Sequence, residues 1–298
     1  MNEFDFIELL RPLAGKSGLG LNDDAALLKP SPGKDLVLSK DTMVEGVHFP
    51  NGRIGGDFAE RLLRTALSDL AAKGARPIGY LLSVAWPKGT DPKFMAGFVK
   101  GLREAQDSFD CPLMGGDTTS TEGPLVASAT VIGEVPSGEM VLRSGARVGD
   151  DVWFTGALGR AENGLALIQG QDIQLSADEK LACEEAYLRP EPRFLFRKAL
   201  RRYATAAADI SDGLSVDALH IATASQMRIH LEAKYLIGAE FGDDYELLFT
   251  ASPQDKKALE EAAKKIGLRL TRCGQVSEGE GIWVNGAPIA PKGYSHGF

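Results

Sequence analysis

The sequence predicts an α+β protein of two domains, and three observations support this fold class. The 298 residues are 44% hydrophobic and 25% charged, which is enough apolar material for a sizeable core. Short apolar runs typical of strands alternate with stretches of helical periodicity. A polar, glycine-bearing segment, "PSGEMVLRSGARVGDD" (136–151), interrupts this alternation near the middle. We therefore expect domains at 1–137 and 138–298, with mixed connections that favour α+β.

In the first domain each predicted element has recognisable boundaries. A helix begins near Asp57, which can cap it together with Glu60 three residues later, and ends at Gly74. A second helix, 91–109, has Pro92 in its first turn. Strands are predicted at 24–29, 35–39, 78–86 and 124–135.

The second domain repeats the same alternation. Its predicted strands lie at 151–156, 206–211, 228–233 and 244–250, followed by two final strands. Its predicted helices lie near 158–169, 178–188, 192–203, from Leu214 onward, and at 253–266. The carboxyl end, "APKGYSHGF", is predicted to be a loop.

Charge and composition exclude several classes of protein. The net charge is −8 and there is no dense Lys/Arg run, so we expect no nucleic-acid partner. Cys111, Cys183 and Cys273 are widely spaced, which argues against a disulfide framework or a zinc site. No stretch approaches the roughly 18 apolar residues of a membrane span, and the start has no basic region followed by an apolar core. These features predict a cytoplasmic protein with no membrane partner.

Aspartates recur beside small residues, where predicted strands and helices end. They are Asp23 and Asp24, Asp41, Asp69, Asp117, Asp209 and Asp212. One such aspartate is usually a turn or a helix cap, but apolar strands that lead repeatedly to a carboxylate need another explanation. Converging carboxylates repel one another unless cations lie among them, and Mg²⁺ prefers such oxygen ligands together with substrate phosphates. The pattern therefore predicts a site with several magnesium ions.

Asp69 is the most informative of these residues. It lies in the last turn of its predicted helix, where the helix dipole disfavours a carboxylate by up to about 1 kcal/mol. It also lies at the edge of the apolar stripe of that helix, so it points along the sheet rather than into bulk water. A bound cation would make this placement favourable. The alternative is an ion pair with Lys73 or Arg76.

Two glycine-bearing motifs suggest phosphate sites. In "GGD" (115–117) the glycines let the backbone approach a bulky anion, and Asp117 adds a metal ligand. In "SDG" (211–213) a strand leads into a helix, whose amino-terminal amides can bind phosphate. Familiar nucleotide loops are missing, because "AGKSG" lacks the first P-loop glycine and no G-x-G-x-x-G follows a strand.

Taken in order, the motifs resemble those of the thiamine-monophosphate kinases, in the superfamily of aminoimidazole ribonucleotide synthetase. The resemblance runs from "NDDAALL" to "KGYSHGF" and includes "SKDTMVEGVHF", "LSDLAAKGARP", "GGDTT", "RSGARVGD", "DISDGL" and "GDDYELLF". It implies direct transfer of the γ-phosphoryl group of ATP to thiamine monophosphate, which gives thiamine diphosphate. It also implies an amino-terminal domain whose mixed sheet pairs into a barrel in a homodimer, plus a carboxyl-terminal α/β sandwich domain.

The resemblance also assigns roles to individual residues. For Mg²⁺ it implies Asp24, Ser39, Asp41, Asp69, Asp117, Asp209 and Asp212, of which Asp41, Asp69 and Asp117 are the expected catalytic residues. For ATP it implies Gly116, Asp117, Arg143 and Ser211, and for thiamine monophosphate it implies His48, Asp243 and Tyr294. Arg143 also makes sense as a fixed cation for a polyphosphate, and Tyr294 as a stacking partner for a cationic ring.

The chain departs from the family pattern at three places. Lys40 replaces a hydroxyl residue between Ser39 and Asp41, so that a ligand is lost there. Asn22 replaces the glycine before the first aspartate pair, and asparagine tolerates a left-handed backbone better than most residues. The segment before "GDDYE" is shorter than in the family.

The expected mechanism is in-line transfer without a covalent intermediate, because no prepared nucleophile is present and the acceptor is itself an ionised phosphate. The alternatives are another ATP-using enzyme of the superfamily or a non-catalytic nucleotide-binding protein. A selenophosphate synthetase would need a reactive cysteine in the loop before Asp23, and a hydrogenase-maturation protein would need one at the carboxyl end. The aminoimidazole ribonucleotide synthetase alternative is separated less cleanly, mainly by "VEGVHF" and "GDDYELLF".

Overall fold

The computed structural model describes residues 1–52, 54–294 and 297. The chain forms two compact units. The first consists of Met1–Leu70 and Arg76–Gly138, and the second of Ala71–Ala75 and Glu139–Phe298.

The first unit is built on a four-stranded mixed sheet in the order β1-β4-β2-β3. β4 pairs antiparallel with both β1 and β2, whereas β2 and β3 run parallel. The strands are β1 (Lys34–Val44), β2 (Arg76–Pro87), β3 (Leu113–Thr121) and β4 (Val126–Pro136). One face carries buried side chains such as Tyr80 and Leu82, whereas Leu38 on the other face is 61% exposed. The alternation follows from the two-residue period of a strand.

Three helices belong to this unit: α1 (Glu3–Leu10), α2 (Gly55–Ala72) and α3 (Pro92–Phe109). Trp86 of β2 packs edge-on against Phe6 of α1 and Phe98 of α3, with ring centroids 5.1 and 5.2 Å apart. α2 and α3 cross closely because their contact residues are glycines: a Cβ on Gly101 would lie 2.2 Å from the carbonyl oxygen of Gly56. Side chains larger than hydrogen at this crossing would push the helices apart.

The second unit contains a seven-stranded sheet in the order β11-β10-β7-β9-β5-β8-β6. Neighbouring strands in the described residues are antiparallel, except that β7 and β10 run parallel. The strands are β5 (Asp151–Thr155), β6 (Ala204–Asp209), β7 (Arg228–Leu231), β8 (Leu247–Ala251), β9 (Leu270–Ser277), β10 (Gly281–Val284) and β11 (Ala287–Pro288). The helices are α4 (Arg160–Ile168), α5 (Ala177–Leu188), α6 (Arg197–Tyr203), α7 (Leu214–Ser225) and α8 (Lys256–Lys265). The predicted two-domain mixed fold is confirmed at this level.

Several predicted elements need correction. The strand predicted at 24–29 is wrong, because these residues are irregular and Leu27 is 57% exposed. Asp57 does not cap α2, since the helix begins at Gly55 and Asp57 is buried inside it. The strand predicted from 244 begins only at Leu247, and the final strands number three instead of two in the described residues.

The positions of the aspartates differ from the prediction in part. Asp41 and Asp117 lie within β1 and β3 rather than at strand ends, whereas Asp69 lies in the last turn of α2, as predicted. Of the aspartates named above, Asp209 is the one that ends a strand. In the described part of the chain, no helix has the length and apolar character that a membrane crossing requires.

Candidate active site

Two residues of β1 face two residues of α2. The Ser39 hydroxyl donates to the Asp69 carboxylate, and Thr65 hydrogen-bonds to the Asp41 carboxylate. The spacings match because four helical residues rise about 6.0 Å and two strand residues about 6.7 Å. Two residues that are two positions apart on the strand can therefore face two residues that are four positions apart on the helix. Ser39 faces Asp69, and Asp41 faces Thr65. This packing brings Ser39, Asp41 and Asp69 together, as the sequence predicted.

The two carboxylates of this group are costly to ionise together. Burial and, to a smaller extent, repulsion from Asp69 raise the pKa of Asp41 from 3.8 to about 6, although Thr65 and the Arg61 guanidinium act to lower it. Arg61 is itself 2% exposed. Two carboxylates and a hydroxyl that converge in this way fit a hard divalent cation, which prefers oxygen ligands and would relieve the repulsion.

The alternative partners of Asp69 make other contacts. Arg76 forms an ion pair with Glu134 at 2.9 Å, and Lys73 donates to the carbonyl oxygen of Ala207 at 2.7 Å. Neither contact accounts for the carboxylate in the last turns of α2. The Ser39 hydroxyl, which donates to Asp69, favours a carboxylate at this position, whereas the nearby Asp41 carboxylate disfavours it unless a cation lies between them.

A cavity of about 680 Å³ in the first unit gathers a second set of predicted residues. Asp24, Gly116 and Asp117 line it, next to Asp23 and Ser83. Apolar side chains of α1 and of the strands share the lining, namely those of Phe6, Ile7, Leu10, Leu81 and Ile132. The volume is that of a small-molecule site. Among the described residues that line this cavity, Ser39, Asp41 and Asp69 are not included.

The structure shows why position 116 must be a glycine, which the sequence did not reveal. A Cβ at this position would lie 1.8 Å from the carbonyl oxygen of Leu82 on the neighbouring strand. At Gly115 the nearest atom to a Cβ would be a Leu81 methyl carbon at 3.6 Å, an ordinary contact. A side chain could therefore be accommodated at Gly115. At Gly116 it could not, because the neighbouring strand lies too close.

His48 lies in the turn that follows β1. Its Nδ1 accepts a hydrogen bond from the backbone amide of Val44 at 3.1 Å. In the neutral ring the proton is then on Nε2, so Nε2 is the ring atom that can donate to a ligand. Among the described residues that line the cavity, His48 is not included.

In the second unit, the loop after β6 is closed by a carboxylate that the sequence reading missed. The backbone amides of Ser211, Asp212 and Gly213 donate to Oδ2 of Asp217 at 3.1, 3.0 and 3.2 Å. The anion site that the sequence suggested at these amides is thus filled by the side chain of Asp217, one turn into α7. Burial, together with the nearby charge of Asp212, raises the pKa of Asp217 to about 7, although the hydrogen bonds from the backbone amides lower it.

Asp217 also belongs to a group that could hold a cation. One carboxylate oxygen each of Asp212 and Asp217 and a ring nitrogen of His220 lie within 4.8 Å of one another. Asp209 is 4% exposed at the end of β6. The positions of Asp217 and His220, five and eight residues after Asp212, were the available signal, since they place both on the first turns of the helix after "SDG".

The acidic residues of the motif "GDDYE" (242–246) make different contacts: Asp244 and Glu246 anchor other elements, whereas Asp243 lies beside the loop after β6. Both carboxylate oxygens of Asp244 accept from the Gly159 amide, at 3.0 and 2.8 Å, where α4 begins. Glu246 is buried, accepts from the Thr155 hydroxyl at 2.6 Å and pairs with Arg193. The amide of Asp243 donates to the carbonyl of Ser211 at 2.8 Å, so Asp243 lies beside the loop after β6.

The other predicted residues of the second unit lie near this loop. The amide of Tyr294 donates to the carbonyl of Asp212 at 3.0 Å, and the Tyr294 residue is 44% exposed. The positive charge of Arg143 lowers the pKa of Asp217, the smallest of several influences on that group. Arg143, Ser211, Asp212, Asp243 and Tyr294 therefore all belong to the second unit.

The arrangement places the chain in a known class. Residues 22–135 match the family described as AIR synthase related protein, N-terminal domain, and residues 147–285 match AIR synthase related protein, C-terminal domain. A thiamine-monophosphate kinase of Caulobacter vibrioides is 41% identical over 99% of this chain and 91% of that protein. The chain belongs to the thiamine-monophosphate kinase family.

Solved structures agree with this assignment. The crystal structure of thiamine-monophosphate kinase from Stenotrophomonas maltophilia has a TM-score of 0.85 and 37% identity, covering 96% of each chain. A structure of AaThiL complexed with AMPPCP and TMP has a TM-score of 0.80 and 31% identity, covering 99% of this chain and 96% of that chain. The resemblance seen in the sequence motifs is confirmed.

Proposed function

We propose that this protein transfers the γ-phosphoryl group of ATP to the phosphate of thiamine monophosphate, which produces thiamine diphosphate and ADP. The observation that carries the proposal is the similarity over nearly the whole chain to AaThiL, whose structure contains AMPPCP and TMP. The curated relatives of similar length carry the same enzyme name. These similarities do not favour another activity of the superfamily or a non-catalytic nucleotide-binding protein.

The cavity of the first unit has the composition that a nucleotide needs. Phe6, Leu10 and Ile132 offer apolar surface for a base, whereas Asp24 and Asp117 place carboxylates in the same cavity. A polyphosphate next to carboxylates requires cations between them. We assign ATP to this cavity, with Gly116 and Asp117 as contacts from the first unit.

Magnesium ions would be held by Asp24, Ser39, Asp41, Asp69 and Asp117 of the first unit and by Asp209 and Asp212 of the second. When bound, they would neutralise the phosphates and orient the donor and acceptor groups. The residues themselves determine the binding geometry. Ser39 fixes Asp69 through its hydroxyl, and Thr65 holds Asp41.

Our proposed mechanism needs no prepared nucleophile. The acceptor is a phosphate monoester, ionised near neutral pH, so no general base has to remove a proton before transfer. The rate then depends on how well the donor and acceptor phosphates are aligned and on how well their negative charges are neutralised. Arg143 and Ser211 would contact the polyphosphate, whereas His48, Asp243 and Tyr294 would position thiamine monophosphate for in-line attack.

Further proposals concern domains, assembly and location. We assign ATP binding, Mg²⁺ binding and dimerisation to residues 1–137, with a carboxyl-terminal domain at 138–298. The face of the first sheet that carries Leu38 supports pairing of two sheets into a barrel in a homodimer, since an exposed apolar side chain there would be buried. Three free, buried cysteines support a reducing, cytoplasmic location.

The activity test is release of ADP by the purified protein. We expect release only when ATP, Mg²⁺ and thiamine monophosphate are all present, with thiamine diphosphate formed in equal amount. Unphosphorylated thiamine is the matched control acceptor, because it lacks the attacking phosphate. ADP release at the same rate with thiamine, or without any acceptor, would contradict the proposal.

A further inference from the structure

The loop before Asp23 has a strained backbone. Leu19, Gly20 and Leu21 have φ values of 50, 68 and 55°, so three consecutive residues are left-handed. This region is unfavourable for residues with a Cβ, and bulky leucine is rarely found there. Such a conformation persists only when surrounding contacts determine it.

Arg11, just after α1, provides those contacts. Its Nη1 lies 2.8 Å from the carbonyl oxygen of Gly20 and 3.3 Å from that of Leu21, and it also donates to Oδ1 of Asn22. Its Nε donates to the Glu8 carboxylate at 2.7 Å, which fixes the plane of the guanidinium. A planar group with several donors is suited to hold carbonyl oxygens that a tight turn brings together.

Other contacts brace the ends of this loop. The amide of Gly15 donates to the carbonyl of Leu113 at 2.8 Å, and the amide of Leu27 donates to the carbonyl of Ser17 at 2.9 Å. Between these points Leu19 is 44% exposed, and residues 22–27 are exposed. Burial therefore contributes little to order there, which leaves the Arg11 hydrogen bonds to hold the middle of the loop.

The same loop forms part of the cavity. Gly18, Leu21, Asp23 and Asp24 line it. Asn22 has φ −107° and ψ 1°, so the left-handed backbone expected at Asn22 is wrong. Its side chain instead accepts from Arg11, and the turn occurs in the three residues before it.

We propose that Arg11 is a positioning residue. Through Gly20, Leu21 and Asn22 it holds the left-handed turn that places Asp24 in the wall of the nucleotide cavity. The proposal rests on the proposed function, because it assigns Asp24 to the ATP site. Arg11 itself need not touch the nucleotide.

The first test measures the loop without any ligand. In Arg11→Gln, hydrogen exchange of the amides of residues 19–21 should accelerate at least about tenfold, because the loop loses the hydrogen bonds from the charged guanidinium to Gly20, Leu21 and Asn22. Arg11→Lys keeps the charge but not the planar fork, so it should exchange at an intermediate rate. Arg103→Gln, on the exposed surface of α3, is the matched control and should exchange as the wild type does.

The second test measures binding and turnover. With AMPPCP and Mg²⁺, titration calorimetry of Arg11→Gln should give a Kd raised about tenfold, since only the fraction of molecules with an ordered loop binds well. KM for ATP should rise similarly and kcat should stay within about twofold, because saturation with nucleotide selects the ordered loop. Asn22→Ala should raise the Kd by a smaller factor in the Arg11→Gln variant than in the wild type, because both substitutions remove the same hydrogen bond.

Wild-type exchange in Arg11→Gln would overturn the proposal, and so would faster exchange with an unchanged Kd. A fall in kcat at constant KM would also overturn it, since that would place Arg11 in the chemical step. If the wild type itself binds no AMPPCP, the proposed function fails and the nucleotide role of Arg11 fails with it. The exchange result would then still decide whether Arg11 orders the loop.

Discussion

At the scale of single residues, the Asp41–Asp69 pair shows why a position that looks unfavourable in a helix can be retained. Asp69 lies in the last turns of α2, yet it accepts from Ser39 and lies close enough to Asp41 to raise its pKa. The cost of this arrangement is electrostatic, and a bound cation would remove it. The structure therefore supports a role in binding rather than in folding.

The Asp41→Asn variant tests that role. We expect it to fold normally and to lose roughly a hundredfold or more in kcat, because about 3 kcal/mol of transition-state stabilisation depends on this carboxylate. The measurement is steady-state formation of thiamine diphosphate at saturating ATP. Asp107→Asn, at an exposed position on α3, is the control and should retain wild-type turnover. Turnover near wild type in Asp41→Asn would contradict the proposed site.

The raised pKa of Asp41 also predicts how stability depends on pH. Its pKa is about 6 in the folded protein and 3.8 ordinarily, so the folded state binds more protons between about pH 4 and 6. The free energy of unfolding contributed by this group therefore falls as the pH rises through that window. In EDTA, Asp41→Asn should have a higher Tm than the wild type at pH 7.5.

Calorimetric scans of both proteins from pH 4 to 7.5 measure the effect. The difference in Tm should shrink towards pH 4, where the wild-type carboxyl is protonated. If the difference in Tm were the same at every pH from 4 to 7.5, the pKa of Asp41 would not be raised in the folded protein.

At the scale of elements, "GDDYE" shows that neighbouring residues of one motif serve different purposes. Asp244 caps the start of α4 and Glu246 pairs with Arg193, so both anchor the loop. Asp243 and Tyr245 have φ values of 64 and 51°, and this left-handed backbone is why β8 begins only at Leu247. The strained residues lie beside Ser211, at the predicted substrate site.

Variants of the two adjacent aspartates should separate these roles. Asp244→Ala removes the acceptor of the Gly159 amide, and we expect it to lower the free energy of unfolding by about 1–2 kcal/mol. Asp243→Asn keeps a side chain that tolerates positive φ, so stability should hold while KM for thiamine monophosphate rises about tenfold. Urea unfolding and steady-state kinetics of both variants provide the measurements. The reverse pattern, with Asp243→Asn unfolding first, would refute this division.

For the molecule as a whole, the proposed homodimer can be tested with substitutions on the surface. Leu38 is 61% exposed on the face of the first sheet opposite its helices. If two such faces pair in a barrel, Leu38→Asp would bury a charge in the interface, and the dimer should dissociate. Sedimentation velocity should then give a dimer for the wild type and a monomer for this variant.

Leu195→Asp is the control for that experiment. Leu195 is 75% exposed and belongs to the second unit, so it is not a residue of the first sheet. It should leave the sedimentation coefficient unchanged. A wild-type monomer, or a Leu38→Asp dimer of wild-type affinity, would exclude pairing through this face.

Patterns in the amino-acid sequence predict most of the elements, the class of protein and a set of candidate site residues. Helical and strand periodicities are local, so α3 and β4 lie where the pattern predicts them. The motifs are local too, which is why "GGDTT" and "DISDGL" could be recognised without coordinates. Asp24, Asp117 and Gly116 do share a cavity, whereas Ser39, Asp41 and Asp69 are gathered between β1 and α2.

The contact partners of these residues become known from the three-dimensional packing. Arg11 and Asn22, Asp41 and Thr65, and Asp244 and Gly159 are separated in the chain by distances that no local period connects. Their contacts depend on how elements pack and on the register of strands. For the same reason the structure shows that Asp217 occupies the amides after β6 and that β2 requires Gly116. Hydrogen bonds and steric contacts act over a few ångströms in space, whatever the separation in sequence.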